Sequence, residues 1–261
     1  MSNYITFMGK ELTENLRTKR LLVLGCVFLF FAITGALLAR YMGEFFAFIM
    51  PSYDETAQLL IEAMGNPSWQ EAYVQFYSQI GQIGVIAILF MYMGTVQREI
   101  RTGTASLMFS KGLGFGSFIL AKFTMAVIIT TVVTVVSALV TYVYTFLLFE
   151  EAGQIGNILT GSLVFSIGVL MMLSVIILGS SLTKSSAVSA GISTGIYFVF
   201  IISTIIPRIG PFSPFNLLSH PVAITVAGTF PSQLTVNILL AAAIAIIALF
   251  FATQRLKKAE G

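Results

Sequence analysis

The chain has 261 residues, 57% of them hydrophobic, with only 14 Lys or Arg and 11 Asp or Glu. A soluble globular chain is about 25% charged. At 10% charged, this one has too little polar side chain to coat a water-soluble particle, which excludes a soluble enzyme, a disordered chain and a secreted disulfide scaffold. The class left is an all-α polytopic membrane protein.

Residues 4–19 read as an amphipathic helix. Ile5, Met8, Leu12 and Leu16 recur at helical spacing, while Lys10, Glu11, Glu14 and Arg17 take other faces. Such a helix lies in the membrane interface. It serves either as a plain anchor or as a transmitter that feels a cytoplasmic partner. A span crossing the hydrocarbon needs about 20 mostly apolar residues, and six segments supply them: 21–39, 80–96, 123–149, 158–183, 185–206 and 234–252. The first follows Arg17, Lys19 and Arg20 and has no convincing small-residue cleavage site, so it reads as a retained signal anchor.

The loop 41–79 carries two capping-box patterns, Ser52 with Glu55 and Ser68 with Glu71. Trp69, Tyr73, Phe76 and Tyr77 follow and suit the membrane–water boundary. One long helix from Trp69 to about Glu99 is therefore expected to contain the second span. Residues 97–122 form a loop, and 207–233 form a nearly uncharged, apolar stretch broken by Pro207, Pro211, Pro214, Pro221 and Pro231. Apolar chain that cannot be regular helix must be covered by protein or line a cavity. Short helical pieces re-entering from outside are expected there. His220 sits among them without a metal-ligand neighbour and reads as a surface or capping residue.

Charge sets the expected orientation. With six spans, Lys10, Arg17, Lys19, Arg20, Arg98, Arg101, Lys111, Lys122, Lys184, Arg255, Lys257 and Lys258 fall on one side, and only Arg40 and Arg208 on the other. Basic residues are retained inside, so both termini are expected in the cytoplasm. The net charge of +3 then reflects orientation and not nucleic-acid binding. The whole chain, 1–261, reads as a single transmembrane domain.

Catalytic constellations are missing. One histidine and one cysteine make no metal site, and no Walker-type phosphate loop occurs. Gly112, Gly114 and Gly116 have no strand before them and read as a hinge. Two intramembrane patterns stand out. Thr130, Thr134, Ser137, Thr141 and Thr145 line one face of the third span. They either glue helices together or wall a weakly polar pathway. Gly191 and Gly195 in the fifth span allow close backbone approach, within the chain or to a second protomer.

The loop from Gln97 to Ser110 reads QREIRTGTASLMFS and continues to Lys122. It resembles the membrane permease subunit of type 2 ATP-binding-cassette (ABC) exporters: a Glu, then Gly-Thr, a short apolar helix, and a basic residue entering the third span. Glu99, Gly103, Thr104, Leu107 and Lys122 match. Lys111 and the glycines stand where the family often has Pro followed by Ser/Thr-Arg. The resemblance implies a multi-pass plasma-membrane subunit, with no catalytic site and no cofactor of its own. Residues 102–109 would be a coupling helix on separate ATP-binding subunits that hold ATP and Mg. Glu99 would pair with Arg17, Lys19 or Arg20 of the N-terminal helix. A second permease, identical or similar, would complete the pathway in the lipid bilayer. The cargo is expected to be amphipathic or apolar, since no buried counter-charge is available for a charged one. The alternative is a membrane scaffold or sensor that binds a partner without moving cargo.

Overall fold

A computed structural model describes residues 2–49, 67–183 and 185–260. The Ser52–Glu55 capping box and Lys184 lie outside them. Among the described residues the chain is all helical, with no strand and six helices long and apolar enough to cross a membrane.

The interfacial helix α1 runs Ser2–Arg17 and turns at Lys19, whose φ is +56°, into the first span α2, Arg20–Ile49. The second span is composite: α3 (Trp69–Gln79), a π turn (Ile80–Gly84), α4 (Val85–Tyr92) and, after a break at Met93 and Gly94, α5 (Thr95–Arg101). The short loop helix α6 is Thr104–Ser110. The third, fourth and fifth spans are α7 (Phe115–Phe149), α8 (Ile155–Leu182) and α9 (Ser186–Ile205). Two 3-10 turns, Gly210–Phe212 and Pro214–Leu218, and helix α10 (His220–Ala227) precede the sixth span, α11 (Leu234–Glu260).

Ser68 takes the extended N-cap position before α3. Its hydroxyl makes no cap bond, and the Glu71 carboxylate accepts from Gln75 instead (3.1 Å). The Ser68–Glu71 box is therefore open, although the helix starts where it was expected.

The fourth span is the centre of the bundle. It packs against the third, fifth and sixth spans and the broken segment. Between helices in lipid, the gain comes from close van der Waals contact more than from water release, and glycines set the approach. A Cβ on Gly161 would lie 2.4 Å from Thr225 Oγ1, and one on Gly179 would lie 2.7 Å from Ser193 Oγ. The fifth and sixth spans turn most of their large side chains outward, among them Phe198, Ile202, Leu239 and Phe250.

The broken segment folds back into the bundle. Its second 3-10 turn seats Leu217 and Leu218 on Gly168. Gly168 lies 13 residues into α8 from Ile155, a depth of about 20 Å at 1.5 Å per residue. Irregular backbone at that depth survives because it is buried in protein or lines a cavity. Here Leu217 is fully buried, and its neighbours border a cleft.

At the opposite end, Phe7, Val96, Ala105, Phe118, Ile177, Ala252 and Leu256 form one core. It joins α1, α5 at the end of the second span, α6 and the adjoining ends of spans three, four and six. Both termini and the 97–122 loop therefore share one end of the bundle. The interfacial helix is rolled from the simple amphipathic expectation. Ile5, Leu12 and Leu16 are exposed, whereas Phe7, Glu11 and Asn15, one turn apart, are buried against protein.

Candidate functional site: a charged junction and a cleft

The inner segment α5 begins at a break that two other spans hold together. Ser180 of the fourth span accepts the backbone N–H groups of Val96 (3.0 Å) and Gln97 (3.1 Å). Those are the second and third residues of α5, the donors a helix N-cap normally satisfies. The carbonyl of Met93, on the other side of the break, accepts from the Ser189 hydroxyl of the fifth span (2.7 Å). A kink in a membrane helix thus has both of its orphan ends answered from outside.

Glu99, near the end of α5, is buried. Its carboxylate accepts from Lys122 Nζ (2.9 Å), which enters from the third span, and from Lys10 of α1. Lys122 also donates to Glu11 (2.8 Å) and is wholly buried, its ammonium lying near the rings of Phe118 and Phe7. Lys10 reaches Glu14 as well (2.8 Å). Its two carboxylate partners satisfy a polar group that burial would otherwise leave unpaired.

Oxygens of Glu11, Glu14 and Glu99 lie within 4.8 Å of one another, close enough to hold a cation. The ammoniums of Lys10 and Lys122 already bring positive charge to them. Burial would lower the basicity of Lys10, but its bonds to Glu14 and Glu99 and the charge of Glu11 outweigh this and hold it above the ordinary lysine range. Burial would raise the Glu14 carboxyl, yet its bond to Lys10 and the nearby charges of Lys122 and Arg20 bring it below the ordinary value.

The partners of Glu99 differ from those expected. Arg17 and Lys19 are exposed, and Arg20 turns to Asn15 (3.4 Å) and to the face of Tyr92. The cause is the roll of α1, which brings Lys10 and Glu11 against the third span instead of the residues nearest the membrane. The sequence signal for this was present but weak: Lys10, Glu11 and Glu14 sit together on a helix whose partner charge, Lys122, lies 111 residues away from Glu11.

The loop helix is raised on this junction. Gly103 takes φ +72°, a left-handed turn that favours glycine. The hydroxyl of Thr104 donates back to Glu99 O (3.2 Å). Ala105 is buried and Phe109 packs on Phe115 and Phe118, so the helix has an inner side. Leu107 stands on the other, 63% exposed.

The remaining sequence candidates are elsewhere. Thr130, Thr134, Ser137, Thr141 and Thr145 are all buried inside this one chain. Thr130, Thr134 and Thr141 donate back to the carbonyl one turn earlier. Gly191 and Gly195 lie on the outward face of the fifth span with no atom close to where a Cβ would stand. His220 opens α10, half-buried, and its Nε2 meets the amide of buried Asn237 (2.9 Å). Burial lowers its basicity.

A cleft of about 600 Å³ opens at the end of the bundle away from the junction. One wall is the outer half of the second span, including the π turn at Gly81 and Gln82. The other is the outer half of the fifth, and the re-entrant turn contributes Phe215, Asn216 and Leu218. Sequence reading missed it, because its walls come from three distant stretches.

Among the described residues, six helices long and apolar enough to cross a membrane, a raised loop helix and a segment folded back into the bundle make this an all-helical polytopic membrane protein. Residues 5–221 match the family described as ABC-2 family transporter protein. The chain is also 22% identical over 196 residues to the "Uncharacterized transmembrane protein YxlG" of Bacillus subtilis (strain 168), covering 75% of this chain and 74% of that one. This chain belongs to the ABC-2 transporter family. It is a multi-pass component of transmembrane transport in the plasma membrane.

Proposed function

We propose that the chain is the permease subunit of an ATP-driven exporter, working as a dimer of permeases with separate ATP-binding subunits that carry the ATP and Mg. The observation that carries this is the seating of α6. Its outward residue, Leu107, is free to meet a partner, and its root is tied through Glu99, Lys122 and Lys10 to α1 and the third span. Ser180 and Ser189 tie the same segment to the fourth and fifth spans. A push on α6 by a closing ATPase dimer therefore meets the ends of four other elements at once, with Gly103 and Thr104 as the joint. The cargo path runs by the cleft between the second and fifth spans. The third-span hydroxyls serve packing in this reading, since they are walled off within the chain.

The test is copurification from native membranes in mild detergent, a search of the retained proteins for an ATP-binding-cassette ATPase, and turnover of that complex with Leu107→Asp. The wild-type complex should hold together, and the variant should lose the stimulated turnover while the permease remains folded. A permease that retains no ATPase, or labelling that places Gly103 and Thr104 on the exterior, overturns the reading. Partner binding with no movement of any cargo would favour the scaffold alternative.

A further inference from the structure

The cleft has a chemical bias that identifies a ligand class. Among the described residues, no Asp, Glu, Lys, Arg or His lines it; its polar groups are Ser78, Gln82, Thr204, Asn216, Ser219 and the hydroxyls of Tyr77 and Tyr197. Their donors are largely spent on the protein. Gln82 Nε2 donates to Ser78 Oγ (3.2 Å), and Asn216 Nδ2 donates to the carbonyls of Gly210 (2.7 Å) and Pro211 (3.4 Å). Thr204 donates to Ile201 O (2.6 Å), and Ser219 to Asn216 O (3.0 Å). What remains is mostly acceptor oxygen, the amide oxygens of Gln82 and Asn216 and the lone pairs of the Thr204 and Ser219 hydroxyls, beside the hydroxyls of Ser78 and Tyr197, which both donate and accept; a ligand hydroxyl suits either kind.

The rest of the lining is apolar or aromatic, including Val74, Ile86, Ile201 and Phe198. The site is also stiff. Tyr77, one of its walls, is fixed by its hydroxyl to Ser162 (3.3 Å) and Thr225 (3.4 Å), and Tyr197 packs edge-on against Phe215. A ligand matching this must donate hydrogen bonds, carry an apolar body and bring no charge, because a charge taken from water with no counter-charge is costly. The volume falls within the range of about 300–1,000 Å³ usual for small-molecule sites.

We propose that this cleft binds a neutral, hydroxyl-bearing amphiphile: one acyl chain beneath a polyol head that donates to Gln82 and Asn216. The inference deepens the transport reading and rests on it for the purpose of the site. The binding itself needs no ATPase, so the two fail separately.

The test uses the full chain in nanodiscs and 1-monooleoylglycerol with a diazirine in its acyl chain, with labelled residues mapped by mass spectrometry. Chain-matched lysophosphatidate and oleylamine supply the anionic and cationic arms. The neutral probe should label the cleft saturably, and the charged probes should need about tenfold more for equal labelling. The double variant Gln82→Leu/Asn216→Leu should weaken labelling about tenfold, as expected for losing two ordinary hydrogen bonds. Gly81→Phe, which fills the cleft, should abolish it. Thr160→Val, removing a hydroxyl exposed elsewhere, should change nothing. Melting curves check that each variant is folded. Equal labelling by either charged probe overturns the assignment. So does undiminished labelling of a folded double variant, or unsaturable labelling spread along the outward face of the sixth span.

Discussion

Lys122 is the residue on which the inner end of the molecule turns. Its ammonium is out of water and shared by Glu11 and Glu99. Removing one partner of a buried pair leaves uncompensated charge, at a cost of about 3–5 kcal/mol. Lys122→Met should therefore release α1 from the bundle, seen as faster proteolysis between α1 and the first span. Adding Glu99→Gln should restore part of the loss. The same assay followed against pH has a definite sign. The Glu14 carboxyl is held below its ordinary value of 4.5, so its contribution is full above that value and is lost as pH falls through the lower, folded value. Lys10 is held above its ordinary 10.5, so its contribution is full below that value and is lost only as pH rises through the higher one. Release should thus come on strong acidification and stay negligible from neutral to mildly alkaline pH. Sequence reading reached Glu99 and Lys122 through the family resemblance of the stretch around the Gly-Thr turn. It gave Glu99 the wrong partners, because chain proximity favoured Arg17, Lys19 and Arg20, and the roll of α1 is decided by Phe7 packing on Phe118, a tertiary fact.

At the scale of elements, the decisive feature is a helix that is capped by its neighbours. Ser180→Ala leaves two buried N–H groups at the start of α5 without their acceptor. A lost cap costs about 0.5–2 kcal/mol. Hydrogen exchange at Val96 and Gln97 should speed up, while that in the middle of the fourth span stays unchanged. Equal protection in the variant would show that the break is held by something else. Nothing local announced this cap, since Ser180 stands 84 residues from Val96 in the chain. Hydropathy alone put the second span at 80–96. The helical segment runs from Trp69 to Arg101, because its outer turns are aromatic and its inner turns are charged. The outer limits of the helix were legible from Trp69 and Glu99. The π turn and the Met93–Gly94 break were not, because both are paid for by tertiary partners. The proline-broken segment was legible as irregular, since no regular helix could contain Pro207, Pro211 and Pro214, and as apolar, since Arg208 is its one Lys, Arg, Asp or Glu.

At the scale of the whole molecule, the fourth span is enclosed and the fifth is bare. Gly191 and Gly195 form a smooth strip on that bare side, suited to close approach of another helix. In the proposed dimer the strip faces the second permease. With Cys26, which is free and exposed, replaced by Ser, Gly191→Cys should crosslink to a dimer in native membranes. Val136→Cys, on the outward side of the third span, should not. A monomer in both cases removes the fifth span from the protomer contact. The six-span count and the gathering of both termini with the 97–122 loop were readable from hydropathy and the partition of basic residues. Which spans lie inside was not, because all six are comparably apolar.

The break at Met93 and Gly94 divides the second span into unequal arms. The inner one, Thr95–Arg101, has seven residues and is about 10 Å long, while the outer, residues 69–92, is about 36 Å at 1.5 Å per residue. Pivoting at Gly94 then multiplies displacement roughly three- to fourfold. If the two arms turn as one body, a shift of about 1 Å where Glu99 is gripped, closer to the pivot than the tip of the inner arm, becomes about 5 Å at Trp69, so the far mouth of the cleft can swing open on a stroke no larger than the slack in one side-chain contact.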